Sequence, residues 1–441
     1  MKPKSATPNT HIMDKVILKE KVCKAIAAHR ADIEAIANAI LAEPELGFKE
    51  VKTAKKVQDA LAKLGLEFTT EHGLTGVKAR MKGRTSKRTI AMLAELDAIV
   101  CRNHKNADPV TGAAHCCGHN IQIANMIAVA YGLREVIDEL DGDVVLFAVP
   151  AEEYVEIDWR SAQRDAKRLK YLGGKQQLIA EGAFDDVDMA MQMHVASGEG
   201  FNLGASSNGF IGKLIEYHGR PAHAAFAPEE GINALNAAMM GVMGVNAIRE
   251  TFRDQDHVRF HPIINAGGDL VNVIPDYVKM ESYVRASNIE AMARYNKAVD
   301  RALKAGGVAL GAKCDIQNLP GYLPLRPDQA FRDLLRENAI DLFGENQVTL
   351  GEHSAGSTDM GDVSHLMPVV HPWVGCVDGV LHGADYALRD GEVAFTKTPQ
   401  VLALTIVDLL AEGAEKAEAI CQAFKPQLDR DSYVKFMDEI K

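Results

Sequence analysis

Residues Ala113 to Asn120 read Ala-Ala-His-Cys-Cys-Gly-His-Asn, placing two histidines and two cysteines within five positions. Thiolate and imidazole are the side chains that bind zinc and its first-row neighbours most readily. Gly118 lets the chain bend, so that Cys117 and His119 could aim at one point. The competing reading is a buried turn whose cysteines pack as small hydrophobes, and it holds unless other segments supply ligands. Three other segments offer them. Glu152 and Glu153 follow an apolar run and Pro150. Adjacent carboxylates repel unless a cation lies near. A metal hydrolase needs one carboxylate on the metal and a second to take a proton from water, whereas an ordinary Glu-Glu pair is a solvated loop. His194 follows the apolar run Met189-Ala-Met-Gln-Met, and His382 sits in the glycine-flanked loop Gly379-Val-Leu-His-Gly. His371 is a rival in that region, although His371-Pro372 reads as a turn.

These residues need elements to hold them. Apolar spacing predicts one or two helices over 14–42, a helix over 53–64 with Gly65 as its C-cap, and a long apolar helix over 121–140 directly behind the Cys/His cluster. Short strands are expected over 76–81 and 89–96, on either side of a Gly-Arg-Thr-Ser turn, then over 143–149 and 188–194. A charged helical segment is expected over 159–172, helices over 331–342 and 401–425, and a short polar helix or tail over 429–441. Strands alternating with helices, with polar residues at strand ends, describe an α/β fold with its site at the strand termini. Residues 209–320 read differently. A strand, a helix, two strands, a helix capped by Ser287 and a final strand give the ferredoxin-like βαββαβ order. The expected layout is a catalytic domain over 1–208, an inserted unit over 209–320, and the rest of the catalytic domain over 321–441.

At 441 residues the chain exceeds one ordinary core. Its net charge of −11 argues against nucleic acid and anionic membrane surfaces as partners. The seven cysteines are odd in number and follow no disulfide framework, which points to a reducing compartment. The polar start, Met1 to Lys15, shows no secretory signal and reads as a loose tail, and no run of about 18 apolar residues suggests a membrane span. Cytoplasmic localisation is therefore expected.

The motifs together resemble the M20 metallopeptidase/amidohydrolase family, in its aminoacylase-like branch containing p-aminobenzoyl-glutamate hydrolase-type proteins. They are Ala94-Glu-Leu-Asp-Ala98, His115-Cys-Cys-Gly-His-Asn120, Pro150-Ala-Glu-Glu153, Met193-His194, His218-Gly-Arg-Pro-Ala-His-Ala-Ala225 and Gly231-Ile-Asn-Ala-Leu-Asn236. Gly268-Asp-Leu-Val-Asn-Val-Ile-Pro275, Val284-Arg-Ala286, Ser357-Thr-Asp-Met-Gly-Asp-Val-Ser364 and Leu381-His-Gly383 complete the series. The resemblance implies a mixed-sheet, phosphorylase/hydrolase-like catalytic domain sandwiched by helices, with the inserted unit as a lid through which homodimers or larger assemblies form. It implies two divalent ions, zinc or manganese with cobalt as a further option, held by Cys117 (bridging), His119, Glu153, His194 and His382. Glu152 would be the general base and then acid, and Asp97 the carboxylate that orients a ligand. His223 would reach the partner subunit's site to stabilise an oxyanion, while Asn272 and Arg285 would contact a small carboxylate-bearing substrate.

The implied reaction is amide hydrolysis of an N-acyl amino acid or an aminobenzoyl-glutamate-like compound. Displacement of ammonia from an activated aromatic amine is the alternative, and a non-catalytic metal-binding protein the third reading. Three departures from the family pattern stand out. Cys116 is an extra thiol, expected to be a buried small residue. Asn120 stands where many relatives carry Asp. Tyr154 to Leu172 is an additional segment whose start, 154–159, is expected to line the pocket because it follows Glu153.

Overall fold

The computed structural model describes residues 14–440; the N-terminal tail expected from the sequence lies outside them. One mixed sheet runs in the order Phe68–His72, Gly76–Met81, Asp143–Val149, Thr89–Glu95, Met189–Met191, Val369–Val370. Its last four strands are mutually parallel, and the first two are antiparallel additions. Thr89–Glu95 and Asp143–Val149 are buried at every position, as a strand covered on both faces must be. Gly76–Met81 and Thr89–Glu95, adjacent in sequence, do not pair: Asp143–Val149 lies between them.

Helices cover both faces. Lys15–Ala28, Arg30–Leu41, Val51–Lys63, His119–Arg134 and Thr398–Leu410 build the larger core, with Ile26, Ile33, Ile40, Ile123 and Ile406 fully buried. His29 separates the first two helices, and Gly65 takes a left-handed φ of 73° after the third. The opposite face packs under Gly174–Ala180 and Arg430–Asp438, whose Tyr433 and Met437 are completely buried, so the polar C-terminal stretch is a core element. The helix expected over 401–425 is two, Thr398–Leu410 and Glu415–Ala423, broken at Gly413 with φ 77°. The stretch Val393–Leu410 reaches a mean hydropathy of 1.3, apolar and long enough on composition to cross a membrane, but 89% of it is buried inside the fold. A core helix has the same composition.

A second small sheet lies behind the site. His194–Ser197 runs parallel to Trp373–Asp378, which also pairs with Gly200–Asn202 and Ala387–Leu388. The run expected as one strand over 188–194 is therefore two: Met189–Met191 in the large sheet and His194–Ser197 in the small one. His194 opens the second strand instead of ending the first.

Residues 209–320 form the βαββαβ unit, with strand order Arg259–Ala266, Tyr277–Ala286, Gly209–His218, Lys313–Pro320, all antiparallel. Ala234–Ile248 and Ile289–Leu310 pack on one face over their own core, which contains Ile215, Met280 and Val299. Asn288, one residue after the expected Ser287, caps the second helix by accepting from the Ala291 amide at 2.8 Å.

The additional segment forms the helix Ile157–Asp165 and then coil. It does not line the cavity. Tyr154 is buried in an aromatic cluster with Phe210, Tyr283 and Tyr322. Its hydroxyl donates to the Pro320 carbonyl at 3.0 Å, and the Tyr283 hydroxyl donates to the Tyr154 carbonyl at 2.8 Å. Asp158 pairs with Lys279 of the lid at 2.8 Å. Following Glu153 in sequence thus carries the chain away from the pocket and against the lid.

Candidate metal centre

The five expected ligands come from four separate elements. Gly118 adopts φ 88° as the N-cap of His119–Arg134, which turns Cys117 and His119 toward the ends of the strands. A side chain is disfavoured in this left-handed conformation, so glycine is needed there. Glu152 and Glu153 follow the buried strand Asp143–Val149, and His194 opens the small sheet. His382 takes φ 66° in its loop, and its amide donates to the Cys116 carbonyl at 2.8 Å, tying the loop to the cysteine turn.

Cys117 Sγ lies 3.3 Å from His194 Nε2 and 3.2 Å from His382 Nε2, and His382 Nε2 lies 3.0 Å from Glu153 Oε1. Two donor groups share Cys117, Cys117/His119/His194 and Cys117/Glu153/His382, each with its ligand atoms within 4.8 Å of one another. Cys117 belongs to both, as a bridging thiolate would. The rear of the site is held from behind. His119 Nδ1 faces the Asp97 carbonyl at 2.8 Å and Asp97 Oδ1 at 3.3 Å, and the Glu153 amide donates to Asp97 Oδ2 at 2.9 Å. His194 Nδ1 faces the Val195 carbonyl at 2.8 Å, leaving Nε2 toward the site. Fixing one imidazole nitrogen in this way selects the tautomer that offers the other to a metal. His119 Nε2 is buried without a hydrogen-bond partner. Buried polar atoms are ordinarily paired; here a soft thiolate, imidazoles and a carboxylate converge as a divalent ion requires.

Electrostatics follow from burial and crowding. The Glu152 carboxyl is pushed well above the usual range by burial and by the charges of Glu95, Glu153 and Asp359. Burial also opposes ionisation of Glu153, but the His382 hydrogen bond and the nearby imidazoles outweigh it and lower its pKa. Burial and the neighbouring His119 lower His194 to about 4, so it is neutral at physiological pH and able to ligate.

His371, the rival to His382, is fully buried and lines the cavity, but it belongs to neither donor group. Cys116 is buried in the main core, with its thiol raised to about 12 chiefly by burial. His115 is buried with both ring nitrogens unpaired and is held neutral, its pKa about 3. Asn120 Nδ2 donates to the Ala37 carbonyl at 3.3 Å, a packing role.

The candidate ligands open into a cavity of about 610 Å3, lined near the site by Glu152, Trp373, Leu381 and Ser357. The Trp373 ring lies 4.2 Å from that of His194. Arg285 reaches from the lid: Nη1 donates to Ser357 Oγ at 2.7 Å, and the guanidinium lies over Phe210 and Tyr283 at 5.4 and 5.3 Å. His223 and Asn272 are exposed on the lid, their loops joined by the Ala224 amide donating to the Asn272 carbonyl at 2.9 Å. Within one chain neither lines the cavity.

Sequence reasoning passed over the charges beneath the site. Glu95 ends its strand two residues before Asp97, and Lys175, completely buried, bridges Glu95 at 2.7 Å and Asp359 at 2.5 Å. The strand period of two was the available signal for Glu95. Lys175 follows a Gly-Gly pair and gave none.

The profile of Peptidase family M20/M25/M40 matches residues 92–407, most of the chain. The Xaa-Arg dipeptidase of Mus musculus is 28% identical over 357 residues, covering 78% of this chain and 74% of its own. The N-acetylcysteine deacetylase of Bacillus subtilis (strain 168) is 29% identical over 348 residues, covering 75% and 85%. A dinuclear metal binding peptidase from the M20 family, solved from Bacillus subtilis, superposes with a TM-score of 0.67 at 24% identity, over 87% of this chain and 99% of that one.

Proposed function

The chain belongs to peptidase family M20/M25/M40 and is a hydrolase of amide bonds, and from that premise we propose a two-metal reaction on a small carboxylate-bearing amide. The observation that carries the reading is Cys117 Sγ set between His194 Nε2 and His382 Nε2 with Glu152 alongside. Cys117, His119 and His194 would hold one divalent ion, and Cys117, Glu153 and His382 the other. The mixed sulfur, nitrogen and oxygen donors suit zinc, manganese or cobalt. When bound, such ions lower the pKa of water and polarise a carbonyl.

The protein's own groups do the rest. Glu152 takes a proton from the attacking water and returns it to the leaving amine. Its raised affinity for a proton supports that two-way role. Arg285, pinned by Ser357 at the cavity edge, offers a guanidinium suited to a substrate carboxylate. The substrate would be an N-acyl amino acid, a dipeptide or an aminobenzoyl-glutamate-like compound. His223 would donate to the oxyanion in a second copy's site. The lid is rich in exposed apolar side chains, including Phe226, Met240, Met243, Ile263, Leu270 and Val271. Such a surface supports a homodimer through the lid.

The test is metal analysis of the purified protein with amine release from a panel of N-acyl amino acids, dipeptides and aminobenzoyl-glutamate. The expected result is amide cleavage that falls by ~10²–10⁴-fold in Glu152→Gln with metal content retained. Undiminished turnover in that variant would remove Glu152 from the chemistry.

A further inference from the structure

Beneath the site, Glu95 is held in an unusual way. It is completely buried at the end of Thr89–Glu95. Its Oε1 accepts from Lys175 Nζ at 2.7 Å and Gln192 Nε2 at 2.5 Å. Its Oε2 accepts from Gln122 Nε2 at 2.8 Å and lies 3.0 Å from His119 Nε2. One oxygen is thus turned inward to two donors, and the other toward the site.

The nitrogen it faces is the one that counts. His119 Nδ1 is occupied by Asp97, so Nε2 is the atom left for a metal. That nitrogen is buried and has no hydrogen-bond partner, although Glu95 Oε2 is close: the two approach without hydrogen-bond alignment. Donor atoms of Glu95, His119 and Glu152 also lie within 4.8 Å of one another, a third donor group sharing His119 with the first.

We propose that Glu95 is a sixth protein ligand of the metal centre, presenting Oε2 to the ion held by His119 and His194, and that Lys175 is the residue positioning it. The inference rests on the metal-centre reading above and deepens it. Lys175 and Gln192 hold Oε1, so the carboxylate offers a single oxygen. Lys175 Nζ, 2.7 Å from Oε1, balances the charge of the buried carboxylate while leaving Oε2 toward the site. Lys175 in turn is bound to Asp359, whose neighbours Ser357 and Thr358 line the cavity. A hard carboxylate oxygen added to two imidazoles and a thiolate moves that position toward manganese or cobalt and away from the softer preference of zinc.

The experiment is chelator-competition titration of the metal-free protein with Mn²⁺ and with Zn²⁺, reading both binding steps, together with the absorption spectrum of the cobalt(II)-substituted protein. In Glu95→Gln one step is expected to weaken by more than ~100-fold, beyond what loss of a partner behind the ligands produces. Mn²⁺ should suffer more than Zn²⁺, and the cobalt bands of one site should change. In Lys175→Met the same step should weaken less. A loss of ~100-fold or less in Glu95→Gln with the cobalt spectrum unchanged would overturn the proposal. If Glu95→Gln alone does not fold because Lys175 loses its partner, Glu95→Gln/Lys175→Gln removes both charges and is read by the same criteria. Cys117→Ala run in parallel separates the two readings. Two intact binding steps there sink the metal centre as a whole. Loss in Cys117→Ala without loss in Glu95→Gln sinks only the sixth ligand.

Discussion

Gly118→Ala tests whether the cysteine turn and the small sheet are locked together. Gly118 has φ 88°, where an alanine costs ~1–2 kcal/mol. A Cβ there would stand 2.2 Å from Val195 Cγ2 and 2.8 Å from Tyr386 Oη. The first approach is well over ~1 Å short of ordinary van der Waals contact, against a side chain that is completely buried. Overpacking of this kind costs ~1–3 kcal/mol, so the total is ~2–5 kcal/mol. Relief requires moving Val195, and with it His194, whose Nε2 sits 3.3 Å from Cys117 Sγ. Metal–ligand distances tolerate only ~0.2 Å. Each 1.4 kcal/mol borne by the metal-bound arrangement lowers affinity tenfold, so a loss of metal affinity of up to ~30–4,000-fold is expected, the upper bound if all of the strain falls there. The assay is metal content after dialysis against a chelator, with denaturant unfolding of the metal-free protein alongside. Val195→Ala in the same chain removes the closest contact and should restore part of both, a coupling of ~1–3 kcal/mol. Wild-type metal retention and unfolding midpoint in Gly118→Ala would refute the reasoning, as would a double variant no better than the sum of its parts.

Other perturbations address other links. Arg285→Ala should lower kcat/KM for carboxylate-bearing amides by ~10–100-fold, as expected for a lost charge-assisted hydrogen bond; an equal loss with the neutral carboxamide analogue would show that Arg285 does not read the carboxylate. Mixing inactive Glu152→Gln and His223→Ala proteins should restore roughly one quarter of wild-type activity, because half of randomly exchanged dimers carry one intact composite site; no recovery after verified subunit exchange would place His223 outside the reaction. Met243→Lys/Ile263→Lys puts charge on two exposed apolar positions of the lid, one on its helix Ala234–Ile248 and one on its edge strand Arg259–Ala266, and should shift sedimentation to the monomer. Glu50, completely buried, has its carboxyl raised to about 7 by burial and by Asp97, against an ordinary 4.5. A raised carboxyl pKa favours the fold fully below pH ~4.5 and loses that contribution as pH climbs through 7. Metal-free Glu50→Gln should therefore gain on wild type by up to ~3 kcal/mol between pH 5 and pH 8; a pH-independent difference in unfolding free energy would contradict the buried charge.

What the sequence made legible was local, and what it hid was pairing and depth. Asp143–Val149 declared itself because its run from Val144 to Val149 is apolar throughout, as a strand covered on both faces requires. Its insertion between Gly76–Met81 and Thr89–Glu95 left no trace, since parallel pairing joins residues far apart in the chain and no side-chain pattern encodes the neighbour. His194 illustrates the same limit at the site. An apolar run through Met189, Met191 and Met193 looks like one strand, yet the chain leaves the large sheet at Gln192 and enters the small one at His194. That switch lets Gln192 hold Glu95 from one side while His194 faces Cys117 from the other. Lys175 was the hardest to read. A lysine in a polar stretch is normally solvated, and only the tertiary fold shows its ammonium sealed between Glu95 and Asp359. Burying that charge is costly unless both partners are held in place. The motif carboxylates and the unremarked lysine are therefore one assembly: Lys175 makes it tolerable to bury Glu95 and Asp359 beneath the Cys117–His119 turn, and so lets negative charge collect where cations are to be bound.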